Sequence, residues 1–260
     1  MTEGIATMLV WDGNRFNIGE HKFQTIVELS DLFKLKNEDG YVIGKTRSYI
    51  DKYCEHLGEK TFNNVFELGI FRGGSTVFLS EMLKPQKLVA IDFEQKPVEA
   101  LDAYIRNNHL QERVKPFYGV DQSDIAALSR IYDESFGSTP LDLVVDDASH
   151  YLDETRKSFN FLFPKLRAGG IYIVEDWAWA NFDLDIDKIS KAYKGKQPLS
   201  NLTFEIVLAS ATAPQLFHEV CITSDYVLIK KGHGNIDGPF NISDYSFHRG
   251  QQLKQKDYFA

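Results

Sequence analysis

The chain has 260 residues, 43% of them hydrophobic and 25% charged, which is ordinary globular usage with enough apolar mass for a sizeable core. Its 29 Lys and Arg against 37 Asp and Glu leave a net charge of −8, which argues against a uniform nucleic-acid or anionic-membrane footprint and against a polyanionic substrate. Two distant cysteines, Cys54 and Cys221, disfavour a zinc site and fit reduced thiols in a cytoplasmic protein. The N-terminal MTEGIATMLVWDGNRF does not read as a signal peptide, and no apolar run approaches the roughly 18 residues of a membrane span.

Residues 1–20, with Gly13 and Gly19 among mixed polarity, read as an irregular arm. In FQTIVELSDLFKL the apolar Phe23, Ile26, Val27, Leu29, Leu32 and Phe33 recur mostly at 3–4 spacing, which predicts a helix. TRSYIDKYCEHL, with Tyr49, Ile50, Tyr53, Cys54 and Leu57, predicts a second. Two helices ahead of the main fold suggest a cap over residues 1–59, or a contact in a homo-oligomer.

From about residue 60 the character changes. NNVFELG (63–69), KLVAID (87–92), VKPFYGV (114–120), LDLVVDD (141–147) and GGIYIVED (169–176) read as strands. Between them, residues 74–84, 97–108, 122–132 and 151–167 read as helices. Pro97 sits near a first turn, where its missing N–H costs nothing, and Pro164 should end or kink the last helix. The strands read as buried runs rather than alternating ones, 114–120 being the weakest of them. That pattern, with β and α segments in alternation, predicts a parallel sheet covered by helices on both faces. LTFEIVLAS (202–210) and FHEVCITSDYVLIK (217–230) read as an antiparallel pair closing the sheet. The Gly-, Asn- and Asp-rich segment 232–260 reads as a tail or lid following a domain at 60–231.

In open parallel sheets ligands bind beyond the carboxyl ends of the strands. The first such end, FELGIFRGGST (66–76), places Gly69, Gly73 and Gly74 in a strand-to-helix turn, where glycine lets a ligand approach the backbone. It is not GxGxxG, because Phe71 fills the second glycine position, and Glu67 would repel a pyrophosphate. A ligand with a cationic end, an ammonium or a sulfonium, fits better. Asp92, at the end of the next strand, has the offset of an acid that holds ribose hydroxyls.

ExGxxxGGS followed by a strand-end Asp resembles the class I S-adenosylmethionine-dependent methyltransferases, over roughly residues 60–230. The resemblance implies a Rossmann-like, doubly wound α/β fold with a mostly parallel seven-stranded sheet, an antiparallel C-terminal strand and here an N-terminal helical cap. It also implies that Glu67, Gly69, Gly73 and Ser75 surround the methionine part of S-adenosylmethionine and that Asp92 holds its ribose. Asp121, Gln122 and Ser123, at the third strand's end, would face the adenine; helix capping accounts for these three equally well.

The fourth strand ends in Asp146 and Asp147, with His150 after them, and the fifth in Glu175 and Asp176. Carboxylates crowded at adjacent strand ends raise each other's pKa or recruit a cation, and a hard divalent ion with oxygen ligands, Mg²⁺ or Mn²⁺, is the simplest solution. DxxH after one strand and ED after the next resembles the metal-dependent sugar O-methyltransferases of macrolide biosynthesis, the mycinamicin and macrocin type. By that resemblance Asp147, Glu175 and Asp176 bind Mg²⁺ and His150 is the general base, while Asp146 has no clear counterpart. The implied activity is O-methylation of a hydroxyl, one of a vicinal diol, on a sugar or other natural-product small molecule. The N-terminal 60 residues match no pattern.

Trp177, Trp179 and Phe182, just beyond the acids, suit the apolar face of a sugar as well as they suit core packing. Tyr41, Lys45 and Arg47 are candidates to reach a cofactor carboxylate. Two competing readings are a metal-dependent hydroxylase-like relative, which needs a 2-His-1-carboxylate set, and a non-catalytic nucleotide-binding scaffold on the same sheet.

Overall fold

The computed structural model describes residues 9–181 and 195–253. Residues 1–119 and 120–260 form two compact units.

The first unit opens with β1 (Val10–Asp12), β2 (Arg15–Ile18) and β3 (His21–Thr25), an antiparallel meander. Its two hairpin turns each start on a glycine with positive φ, Gly13 at 61° and Gly19 at 56°, as tight two-residue turns require. A short helix α1 (Asp31–Lys34) and a 3-10 turn lead into β4 (Tyr41–Ile43), which runs parallel to β3. Helix α2 (Arg47–Leu57) follows, with the Thr46 hydroxyl accepting from the Tyr49 N–H.

This corrects the reading of 9–20 as part of an irregular arm and of 23–35 as a helix; residues 1–8 lie outside the described residues. The 3–4 spacing over 23–33 is not one buried face: Phe23 and Ile26 are buried, but Val27 and Phe33 are 72% and 85% exposed. Of the expected helical cap, α2 stands, burying the five residues that predicted it; a four-stranded sheet takes the place of the other helix.

The alternating part of the first unit is as the sequence predicts: β5 (Asn64–Leu68), α3 (Gly74–Leu83), β6 (Lys87–Asp92), α4 (Glu99–Asn107) and β7 (Val114–Tyr118). Helix α3 is apolar nearly all round because it is buried nearly all round. Its Phe78 packs edge-on against Phe16 and Phe23 of the small sheet, at 5.9 and 6.1 Å between ring centroids.

The second unit contains α5 (Ile125–Phe136), β8 (Leu141–Asp146), α6 (Leu152–Leu162) and β9 (Leu166–Glu175). Pro164 does end α6, within a 3-10 turn at Phe163–Lys165. Residues 202–210 are not a strand; they lie in α7 (Ser200–Thr212). Leu202, Ile206 and Ala209 are buried at helical spacing, whereas Phe204 and Val207, which a strand reading would have to place, are exposed. Glu205 on the same buried face is held by the Arg156 guanidinium of α6, at 2.9 and 3.3 Å. The closing antiparallel pair is β10 (Phe217–Ile222) and β11 (Tyr226–Lys231), both from the second of the two segments expected to form it.

Part of the C-terminal segment is packed. Phe240 and Ile242 are buried, and the Ile242 N–H donates to Asn160 Oδ1 of α6 at 2.9 Å. A small hairpin, β12 (Phe247–His248) and β13 (Gln251–Gln252), follows.

The main sheet has seven strands in the order β10-β11-β9-β8-β5-β6-β7. Pairings β5–β6, β6–β7 and β8–β9 are parallel; β9–β11 and β10–β11 are antiparallel. This is the Rossmann-like α/β architecture expected. Among the described residues no helix is long and apolar enough to cross a membrane.

Candidate functional site

In the first unit the turn after β5 is built from backbone. Gly69 and Gly73 have φ of 98° and 82°, and Phe71 between them, at 49°, also lies in the left-handed region. Asp92 holds this turn. Its Oδ2 accepts the N–H groups of Ile70 and Phe71, each at 2.8 Å, and its Oδ1 accepts the Glu94 N–H at 2.8 Å. A carboxylate offers about four lone-pair sites, so any bond from Asp92 to a ribose hydroxyl is made by a group already employed in shaping the turn. Glu67 is fully buried on β5 and accepts from the Thr76 hydroxyl of α3 at 2.6 Å. Ser75 is half-buried in the first turn of α3. Arg47 is engaged elsewhere: it lies 4.7 Å over the Trp11 ring and 3.8 Å from Asp51.

In the second unit the turn after β8 is built from side chains. Asp147 Oδ1 lies 3.8 Å, and Asp176 Oδ2 3.9 Å, from His150 Nε2. One ligand atom from each of these residues falls within 4.8 Å of the others, and among the described residues no other cluster of three or more such groups could hold a metal ion. His150 and Asp176 both sit at positive φ, 56° and 52°. For non-glycine residues this is uncommon, costs of order 1 kcal/mol or more, and concentrates at functional sites. Two carboxylates and an imidazole suit a divalent cation.

Glu175, expected as a ligand, is outside this cluster; it is 1% exposed at the end of β9, paired opposite Tyr226. His150, expected as the base, is inside it. Glu175 is the last residue of β9 and stays buried with the strand, whereas Asp176 follows at positive φ, where the backbone leaves the strand and turns.

Asp146, given no role by the sequence, is the centre of a buried network. It is 2% exposed and accepts from Gln122 Nε2 at 3.1 Å, Ser158 Oγ at 2.8 Å and Tyr172 Oη at 3.1 Å. Burial pushes its carboxyl up to about 6, and those hydrogen bonds hold it from rising further. Gln122, expected to face an adenine, is buried with both ends of its amide engaged here. Of its neighbours, Asp121 is exposed and accepts the Ser123 N–H at 2.7 Å, an ordinary turn, and Ser123 is half-buried.

The two tryptophans divide. Trp177 Nε1 donates to the Thr223 carbonyl in the β10–β11 turn at 2.8 Å, an anchoring contact. Trp179 lies against His150, 4.6 Å between ring centroids. Phe182 lies outside the described residues. Lys196, which no motif singled out, stands 3.2 Å over the Tyr151 ring and pairs with Glu154 at 3.2 Å, at the start of α6.

Parts of the chain are similar to known proteins. Residues 66–177 match the model of a family described as a methyltransferase domain. Over 113 residues the chain is 34% identical to demethylmacrocin O-methyltransferase of Streptomyces fradiae, covering 42% of this chain and 26% of that protein. Over 93 residues it is 37% identical to mycinamicin VI 2''-O-methyltransferase of Micromonospora griseorubida, covering 35% and 22%. The chain thus spans about a quarter of the length of these relatives. In three dimensions it is similar to the methyltransferase MycE of the mycinamycin pathway, solved in complex with Mg and SAH. The TM-score is 0.53 at 21% identity, covering 78% of this chain and 53% of that one, a likeness of fold. By sequence, residues 66–177 are similar to a methyltransferase domain, and the fold is like that of MycE.

Proposed function

We propose that the chain is an S-adenosylmethionine- and Mg²⁺-dependent O-methyltransferase acting on a hydroxyl of a sugar or other natural-product small molecule. The observation that carries this reading is the convergence of Asp147, His150 and Asp176, two of them in a strained backbone conformation, just beyond the ends of β8 and β9. Support for the substrate class is the similarity to sugar O-methyltransferases.

When bound, S-adenosylmethionine supplies a methyl already activated on a sulfonium, and Mg²⁺ supplies the charge that makes a coordinated hydroxyl more acidic. The rest falls to side chains. The glycine turn, shaped by Asp92, leaves backbone approachable to the cofactor, and Glu67 and Ser75 flank it. Asp147 and Asp176 would hold the ion and, through it, an acceptor hydroxyl, a vicinal diol offering two. Fixing reactants in this way is worth several kcal/mol, about 7–11 at its best. The His150 imidazole would take the hydroxyl proton, imidazole being the side chain most often used as a general base. Trp179 offers an apolar face beside it.

A second reading of His150 rests on the same distances: its Nε2 could be a third ligand of the ion. The hydroxylase alternative is not favoured, because the cluster holds one His and two carboxylates where that chemistry wants the reverse.

The test is calorimetric titration of S-adenosylhomocysteine, with NAD⁺ as control, and then Mg²⁺ into chelator-stripped protein. One nucleoside site and one Mg²⁺ site that disappears in Asp147→Ala are expected; no nucleoside binding would sink the reading. His150→Ala then separates the two roles. Turnover should fall about 100-fold or more with Mg²⁺ affinity retained for a base, whereas a ligand would lose the metal as well.

A further inference from the structure

The 147–150 turn carries Asp147 and His150, and on the reading just given it must present both to one ion. We propose that Gln122 is the positioning residue of this turn, its amide clamping the end of β8 to the turn's backbone.

Gln122 lies three residues before α5, far in sequence from the acids, yet its side chain bridges them. Its Nε2 donates to Asp146 Oδ1 at 3.1 Å and to Ser158 Oγ at 3.0 Å; its Oε1 accepts the Ser149 N–H at 2.8 Å. The two amide hydrogens and the carbonyl oxygen each have a partner, and the orientation is unique. Turned over, the carbonyl would face the Asp146 carboxylate and the NH₂ would face another N–H. The partners are fixed in turn. Ser158 accepts from Gln122 and donates to Asp146 at 2.8 Å, and Tyr172 Oη of β9 reaches the same carboxylate at 3.1 Å. Gln122, Asp146, Ser158 and Tyr172 are all buried, so water does not compete for these bonds.

The grip falls where it matters. Asp146 precedes one candidate ligand directly, and Ser149 precedes His150, whose φ of 56° must be enforced by its surroundings. An isolated acid in place of Gln122 could not donate to Asp146, and an apolar residue would abandon both ends. A neutral amide with a donor at one side and an acceptor at the other is the group the position requires. The same contacts leave the Gln122 amide no free end for an adenine.

Full-length wild type, Gln122→Leu and Ser158→Ala are compared, each stripped of metal, by titration with S-adenosylhomocysteine and with Mg²⁺ alone. Gln122→Leu should raise the Mg²⁺ dissociation constant about 10–100-fold, the usual effect of removing a group that orients ligands, and lower kcat. Its affinity for S-adenosylhomocysteine should stay within about twofold. Ser158→Ala, which keeps the Ser149 contact, should move Mg²⁺ affinity the same way by less, and decides the matter if Gln122→Leu fails a thermal-melting check. Unchanged Mg²⁺ affinity in the folded variant overturns the proposal, as does a loss confined to S-adenosylhomocysteine, which would make Gln122 an adenine contact. A wild type that binds neither ligand overturns the function proposed above, and this inference with it; a wild type that binds both while the variants match it overturns this inference alone.

Discussion

Two strand-end turns in this chain solve one problem with different materials. After β5 the chain reverses on Gly69 and Gly73, and a half-exposed carboxylate, Asp92, accepts two turn N–H groups. After β8 the turn has no glycine; a buried amide, Gln122, accepts the Ser149 N–H while binding a buried carboxylate. A charged acceptor is tolerable where water reaches it. In the interior the acceptor is neutral, and the single charge, on Asp146, is surrounded by donors. The consequence for ligands is a division of labour. On the function proposed above, the first turn leaves backbone for a cofactor to approach, and the second presents side chains, Asp147 and His150, to a metal and a proton.

The first turn is breakable by one methyl group. An added Cβ at Gly74 would stand 2.1 Å from the Val42 carbonyl oxygen of β4 and 2.6 Å from its carbon, both backbone atoms. Neither can step aside without moving a strand. Gly74→Ala should therefore cost about 3–4 kcal/mol of stability, at the high end for a small overpacking change. In the second turn, Ser149→Ala removes only the acceptor of a 3.2 Å bond from the Tyr151 N–H and should cost about 1 kcal/mol or less. Urea midpoints of the two variants measure the contrast; equal midpoints would mean that α3 does not depend on its close approach to β4.

This contrast also marks what the sequence made legible. The alternating elements from β5 to β9 were readable because their strands are mostly apolar runs bounded by Gly, Pro and polar residues, a signal that survives without knowledge of neighbours. The small N-terminal sheet was not, because Val27, Leu29 and Phe33 imitate a helical stripe while lying exposed. Gly13 and Gly19, two residues from their strand partners, were the overlooked signal of hairpins. In α7 the burial of Glu205 hid the helical face, since a charged residue on that face makes sense only once Arg156 is beside it. Asp147, His150 and Asp176 were found by motif. The exclusion of Glu175 from their cluster and the work of Gln122 depend on direction and distance, which spacing along the chain does not carry.

The buried carboxylate of the second turn predicts a pH dependence. The folded-state pKa of Asp146 is raised, to about 6 from an ordinary 3.8. Below about pH 4 the group is neutral in both folded and unfolded chains, and its burial carries no ionic penalty. As pH rises through 6 the folded chain must hold a desolvated charge, so stability falls between about pH 4 and 6 and is level above. The shift of roughly two units corresponds to about 2–3 kcal/mol. Asp146→Asn removes this slope, although its NH₂ group meets donors meant for an oxygen and lowers stability at the acid end. Denaturation midpoints of the pair, measured without metal from pH 4 to 7, should converge as pH rises. Parallel curves would show that Asp146 does not titrate in this window.

The smallest effect separates anchoring from function among the aromatic residues beyond β9. Trp177 and Trp179 are two positions apart and would pass for equivalents by composition. Trp177 spends its one donor on the Thr223 carbonyl, so Trp177→Phe loses a single hydrogen bond, about 1 kcal/mol, and leaves the geometry around His150 alone. Trp179 has its ring on the His150 imidazole, so Trp179→Phe, which keeps an aromatic of smaller reach, should lower kcat several-fold with little change in stability. Melting temperature and turnover, measured on both variants, should thus move in opposite pairings. If Trp177→Phe were instead the variant that lost turnover, the β10–β11 turn that it ties down would have to be counted as part of the second turn's support, and the division between backbone-built and side-chain-built ends would extend one strand further than Asp147, His150 and Asp176 mark it.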